Sequence, residues 1–289
     1  GVIGEDLPME MVESGIKQLP AGLEADAWAQ AAAGIMTTDS VAKACSRSLL
    51  IDSTEVTITG IAKGAGMIRP DMATMLAFIA TDAAVDREWL QHCLESAVNV
   101  SFNCITVDGD TSTNDACMLA ATGASGSPVL AGNCAHSDAF QEALNDVFIL
   151  LAQAIIRDGE GATKFVTVSI EHAMTVDEAK QVAYTVAQSP LVKTALFASD
   201  PNWGRILAAV GRAGIEDFDI DTTAIYLDDV CIVSGGGRDP AYQESMGQQV
   251  MSQQEITIRV TLGRGEQQAT VWTTDLSYDY VKINAEYRT

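Results

Sequence analysis

Thr74, in the run Lys63-Gly-Ala-Gly-Met-Ile-Arg-Pro-Asp-Met-Ala-Thr-Met-Leu-Ala-Phe, is the residue whose type and setting best suit covalent chemistry. It follows a small residue and opens an apolar stretch. If the bond between Ala73 and Thr74 is cut, Thr74 gains a free α-amine, with a pKa of about 7.7–8, beside its own hydroxyl. One residue then supplies nucleophile and base near neutrality without any histidine. The dipeptide alone is a weak signal, because most threonines ahead of a strand serve β-propensity and turn hydrogen bonds.

Other motifs narrow the chemistry by failing specific tests. Lys63-Gly-Ala-Gly imitates a dinucleotide fingerprint, but Arg69 stands at the third glycine position and no Gly-Lys-Ser/Thr follows. Its small residues instead let the backbone approach an acyl group closely while Lys63 presents a cation. Asp108, Asp110 and Ser112 occupy the first, third and fifth places of a calcium loop, yet Thr113 replaces the required glycine and Leu119 the bidentate Glu. A tight polar turn is the better reading of that run, with proximity to the site as the alternative. In Gly123-Ala-Ser-Gly-Ser, Ser127 breaks the nucleophile-elbow pattern, and His92, His136 and His172 fall in no catalytic arrangement, so a Ser-His-Asp hydrolase is not expected.

Several long runs share one resemblance: Gly1-Val-Ile-Gly-Glu, residues 63–78, Phe102-Asn-Cys-Ile-Thr-Val-Asp-Gly-Asp-Thr-Ser-Thr-Asn-Asp115, Ser189-Pro-Leu-Val-Lys-Thr-Ala-Leu-Phe-Ala-Ser-Asp-Pro-Asn-Trp-Gly-Arg205, and Asn284-Ala-Glu-Tyr-Arg-Thr289. In this order they resemble the ornithine acetyltransferase family, also called the bifunctional glutamate N-acetyltransferases. The resemblance implies a layered α/β/β/α fold of the self-cleaving type, with a nucleophile at the start of an inner strand and a smaller C-terminal region folding back on the site. It implies cleavage between Ala73 and Thr74, dividing the chain into residues 1–73, the end of an α fragment, and residues 74–289, the β fragment.

The implied activity is transfer of an acetyl group from N-acetylornithine to glutamate through acetyl-Thr74, in arginine biosynthesis, with no cofactor and no metal. Acetyl-CoA as a further donor stays open. Thr37, Lys63, Thr74, Glu160, Asn284 and Thr289 match the family's substrate contacts. Gly1 matches the glycine of a Thr-Gly oxyanion hole, whose threonine would precede the first residue. The implied assembly is a heterotetramer of two α and two β fragments. Because the sequence opens at Gly1 without Met, it is expected to begin inside a longer gene product, and the match at Thr289 implies a complete C-terminus. Two alternatives stand beside this one: an amidase or aminopeptidase of the same self-cleaving design, and a catalytically silent binding subunit.

The elements that must position these residues follow from periodicity and capping. Helices are expected at residues 24–37, 86–100, 138–157, 176–188 (capped by Thr175) and 203–210, and a further one opening at Asp39 or Ser40 and running to residue 48. Strands are expected at residues 54–61, 75–80, 104–107, 164–170, 224–233, 255–262 and 268–273. Thr37 would then close a helix, Glu160 would sit in a turn between helix and strand, and Thr74 would begin a strand. The mixture makes the class α/β.

A chain of 289 residues with 47% hydrophobic content buries a substantial core. No run approaches the roughly 18 uninterrupted apolar residues of a membrane span. The formal net charge of −22 disfavours nucleic acid and anionic membrane surfaces as partners. It also repels the dianionic product N-acetylglutamate, so local cations must offset it; Lys63, Lys193, Arg205 and Arg212 are the candidates. Six cysteines without a Cys-x-x-Cys pair or zinc-finger histidine spacing argue for buried free thiols rather than a zinc site, and point to a reducing cytoplasm.

Overall fold

The computed structural model describes residues 4–69 and 75–286. Gly1, Ala73, Thr74 and Thr289 therefore lie outside the described residues. The α/β expectation is met: strands form a four-stranded and a seven-stranded sheet with helices packed on them.

The smaller sheet has the order β1 (Lys43–Ile51), β2 (Thr54–Lys63), β3 (Leu76–Thr81), β5 (Ala116–Ala121). Neighbours pair antiparallel except β3 and β5, which run parallel. The β1–β2 hairpin turns at Asp52, whose φ of 54° suits the tight turns that match strand twist. Residues 43–48 were expected to be helical, but they alternate small polar residues with others and pair with β2 throughout; Ser46 and Thr59 hydrogen-bond across the strands at 2.8 Å. Asp39 accordingly caps no helix. Register places Lys63 opposite Leu76, and Leu76 opposite Ala116. The end of β2 and the starts of β3 and β5 thus meet at one edge of the sheet.

Helix α3 (Arg87–Asn99) begins where the Asp86 carboxylate accepts the amides of Glu88 and Trp89, each at 3.0 Å. It packs on α4 (Ser137–Arg157), the long helix that lies over β1 and β2. By length and hydropathy α4 could cross a membrane. Here its apolar stripe of Phe140, Leu144, Val147, Leu151 and Ile155 is fully buried in the core. Gly60 on β2 permits this close approach, because a Cβ there would meet Leu151 at 2.9 Å.

The larger sheet runs β4 (Ile105–Thr106), β11 (Gln267–Thr274), β6 (Phe165–Ala173), β10 (Glu255–Thr261), β7 (Ala224–Leu227), β8 (Val230–Ser234), β9 (Gly237–Arg238). Residues 224–233 form a hairpin, not one strand, since Asp228 takes a φ of 47° at its tip. A second core joins this sheet to α5 (Val176–Ala187), α6 (Pro190–Phe197), α7 (Trp203–Gly211) and α8 (Glu244–Met251). Thr175 caps α5 as expected, accepting the Glu178 amide at 3.0 Å. The chain also forms α1 (Met9–Gln18), α2 (Trp28–Gly34), which packs on β1 and β2, and the terminal α9 (Tyr278–Glu286). All six cysteines are free, but only Cys93 and Cys104 are fully buried.

Candidate active site

The centre of the site is the turn that follows β2. Lys63 is buried, and Gly64 takes a φ of 148°, which side chains rarely adopt, so glycine is required where the strand ends. The Gly64 amide donates to Asp39 Oδ1 at 2.7 Å. Asp39 also accepts from the Thr37 amide at 3.0 Å and from Lys43 Nζ at 2.7 Å. Burial pushes the Asp39 carboxyl up, but the Gly64 amide, Lys43 and the Thr37 amide outweigh it and hold the group below its ordinary range. Thr37 lies beyond the end of α2, not at its last turn, and reaches the site through this shared carboxylate.

Lys43 continues the chain of contacts to Asp158 Oδ2 at 2.6 Å, and Asp158 in turn accepts the Ser40 amide at 3.0 Å. Beyond Asp158 comes the turn Gly159-Glu160-Gly161. The Glu160 amide donates to the Ala65 carbonyl at 2.8 Å, and the Glu160 carboxylate occupies the space that a side chain at Gly66 would fill. Asn284 Nδ2, on α9, donates to Glu160 Oε2 at 2.8 Å. The helix is docked there because the Ser277 hydroxyl donates to the Gly161 carbonyl at 2.6 Å and Gly161, with a φ of 66°, leaves no room for a Cβ against the Tyr280 backbone.

Asp108 closes the other side of the turn. Its carboxylate accepts the amides of Met67 at 2.7 Å and Ile68 at 3.1 Å, and the Tyr280 hydroxyl at 3.2 Å. Burial raises its pKa, against those amides, and the Asp108 carboxylate in turn helps to raise that of Tyr280. The run 108–115 is a polar segment held by side-chain to backbone hydrogen bonds, and it also lies beside the candidate site through Asp108 and Asp115; the described residues contain no group of three or more His, Cys, Asp or Glu able to hold a metal ion. At its far end, Asp115 accepts the Met75 amide, and the Ala116 amide donates to the Met75 carbonyl at 3.0 Å. Burial pushes the Asp115 carboxyl up to about 6, with the Met75 amide and Lys63 opposing the rise.

Of the residues expected from sequence, the structure thus gathers Thr37, Lys63, Glu160 and Asn284 around residues 63–66. The other candidate cations serve elsewhere. Lys193 is buried against the end of β11, with Nζ donating to Thr273 Oγ1 at 3.1 Å and to the Thr274 carbonyl. Arg205 donates to the Leu191 carbonyl at 2.9 Å and Arg212 to that of Thr185 at 3.3 Å. Asp39, Asp108, Asp115 and Tyr280 are the linking residues that sequence reasoning did not assign; Asp108 and Asp115 sit in a resembling run, which was their available signal.

The family model for the ArgJ family matches residues 1–289, the whole chain. The chain belongs to the ArgJ family. It is 57% identical over 289 residues to the arginine biosynthesis bifunctional protein ArgJ of Methylococcus capsulatus, covering 100% of this chain and 71% of that protein. The protein of the same name from Pseudomonas fluorescens is 56% identical over 292 residues, covering 100% and 72%. Among solved structures, the crystal structure of the arginine biosynthesis bifunctional protein ArgJ of Bacillus halodurans matches with a TM-score of 0.71 at 38% identity, over 74% of this chain and 100% of that one. As an ArgJ family member the chain is an acyltransferase, of the glutamate N-acetyltransferase and ornithine acetyltransferase type.

Proposed function

We propose that this ArgJ protein moves an acetyl group from N-acetylornithine to glutamate through an acetyl-threonine on Thr74, after cleavage between Ala73 and Thr74. The observation that carries this reading is the convergence of Thr37, Glu160 and Asn284, drawn from three distant segments, on the turn at residues 63–66 that Lys63 opens. Lys63 ends β2 opposite Leu76, two residues past Thr74 in the chain.

The Thr74 hydroxyl attacks the acetyl carbonyl and gives its proton to the Thr74 α-amine. Ornithine leaves with that proton, glutamate enters the same pocket, and its amine takes the acetyl group in the reverse sense. One amide is exchanged for another, so no outside energy source is needed. Glu160, held by Asn284, pairs with the ammonium of ornithine, and Lys63 faces the carboxylates that the net charge of −22 repels elsewhere. Thr37 and Thr289 contribute polar contacts to the amino acid. Gly1 contributes its amide to an oxyanion hole, a kind of donor whose loss costs about 3 kcal/mol of barrier.

Two further parts belong to this proposal. Residues 1–73 and 74–289 are the end of the α fragment and the β fragment, and two of each fragment assemble as a heterotetramer. Acetyl-CoA serves as a second donor, in keeping with the word bifunctional in the relatives' names.

The test is a transfer assay with N-acetylornithine and isotopically labelled glutamate, run on the enzyme and on Glu160→Gln. Labelled N-acetylglutamate, little free acetate and a KM for N-acetylornithine raised tenfold or more in the variant are expected. Acetate formed at the same rate with or without glutamate would mean that water is the acceptor and the protein is an amidase.

A further inference from the structure

Lys193 is one of the cations expected to offset the negative charge, yet its ammonium is turned into the protein. The residue is 3% exposed, and Nζ donates to Thr273 Oγ1 at 3.1 Å, to Thr274 Oγ1 at 3.2 Å and to the Thr274 carbonyl. These partners are neutral, and the Asp275 and Asp108 carboxylates act on the ammonium only through space. Burying an ammonium is costly unless its three N–H donors find acceptors. Here all three are spent on two consecutive residues at the end of β11. The Lys193 carbonyl adds a further tie by accepting the Leu276 amide at 3.2 Å.

Residues 275–277 connect β11 to α9, and together with Thr274 they grip the turn that carries Glu160 from both ends. At the start of the turn, a Cβ on Gly159 would meet Thr274 Cγ2 at 3.0 Å. At its end, the Ser277 hydroxyl donates to the Gly161 carbonyl at 2.6 Å. Just beyond, Asp275 accepts the Thr163 amide at 2.8 Å, the Thr163 hydroxyl at 2.6 Å and the Lys164 amide at 2.9 Å. Asn284, the partner of the Glu160 carboxylate, stands on the helix that this connection begins. Glu160 and Asn284 thus share one support, and Lys193 fastens that support to α6.

We propose that Lys193 is a positioning residue for the acetyl donor: by fastening residues 273–276 to α6 it sets the height of the turn at residues 159–161, and so the place of the Glu160 carboxylate against Gly66 and Asn284. This rests on the reading that Glu160 pairs with the ornithine ammonium. Lys193 itself touches no substrate. Without its ammonium the connection shifts, Glu160 and Asn284 shift with it, and the donor loses an ion pair made alike in the ground state and the transition state. A loss of that kind raises KM and leaves kcat in place.

The experiment is steady-state acetyl transfer with Lys193→Met, made in the unaltered enzyme and again in Glu160→Gln. In the unaltered background the KM for N-acetylornithine is expected to rise about fivefold or more, with kcat falling less than about twofold. In the Glu160→Gln background the same substitution is expected to change that KM less than about twofold, because the carboxylate it positions is gone. A merely structural role would lower the amount of folded enzyme, hence kcat, and would act alike in both backgrounds. An unchanged KM, or an equal rise in both backgrounds, would overturn the proposal. If Lys193→Met does not fold, Thr274→Val decides instead, since it removes one acceptor of the ammonium and keeps the methyl group that faces Gly159. A KM rise confined to the enzyme that retains Glu160 supports the role, and an equal rise or none contradicts it. The parent reading is checked by Glu160→Gln alone. If that variant keeps the unaltered KM, Glu160 meets no substrate and the role of Lys193 falls with it; if it raises KM and Lys193→Met does not, the positioning role alone fails.

Discussion

The Lys43 ammonium lies 2.6 Å from the Asp158 carboxylate, and both side chains are less than a tenth exposed. The same ammonium meets Asp39, so one buried cation ties the loop carrying Thr37 to the turn carrying Glu160. Removing one member of a buried ionic group leaves uncompensated charge, which typically costs about 3–5 kcal/mol. Lys43→Met strands two carboxylates. Its unfolding free energy in urea is expected to fall by about that amount, and a loss under 1 kcal/mol would show the triad to be solvated in solution.

Gly66 tests the placement of Glu160 without replacing a charged residue. Alanine there puts its Cβ into the Glu160 carboxylate, the movable end of a flexible side chain, so the backbone has no need to shift. Gly66→Ala is expected to melt close to the unaltered protein. Steady-state kinetics should show the KM for N-acetylornithine raised tenfold or more, because the carboxylate is displaced from its bond to Asn284. An unchanged KM would remove Glu160 from the substrate contacts.

Lys193 makes stability depend on pH. Burial pulls its pKa down to about 7, with Asp275 and Asp108 opposing the fall, whereas in the unfolded chain a lysine titrates at about 10.4. Between these values the unfolded chain holds a proton that the folded chain has lost, so stability rises with pH, by up to about 1.4 kcal/mol per unit. Below about pH 7 both states are protonated and the dependence ends. Denaturation midpoints measured from pH 6 to 9.5 should show this rise in the unaltered protein and a flatter profile in Lys193→Met. Parallel profiles would mean that Lys193 stays charged throughout.

Elements with a strong local signature were legible in the sequence. The capping Asp86 and Thr175, the apolar stripe of α4 and the β-branched alternation of β2 each point to the structure that forms. The stretch at residues 39–48 misled because an acidic residue ahead of small and polar ones imitates a helix start. Its Asp39 is instead committed to Gly64 and Lys43, and pairing with β2 decides the rest. Strand β5 and helices α1, α6, α8 and α9 were not expected from the sequence, although α6 carries a start signal in Ser189 followed by Pro190. In the site, Lys63, Glu160 and Asn284 came from resemblance, since local physics reads each as a solvated charge or a terminus. Asp115 was missed because its partner is a backbone amide, which no side-chain pattern reveals, and Asp39 because its place opposite the Gly64 amide depends on the strand pairing of β1 with β2.

The most direct test of the acetyl-threonine account is the denatured intact mass of the protein after incubation with N-acetylornithine. Two fragments divided between Ala73 and Thr74 are expected, the C-terminal one heavier by one acetyl group, with that group lost again when glutamate is added. A single uncut chain, or two fragments with no acetyl group on the one beginning at Thr74, would contradict it.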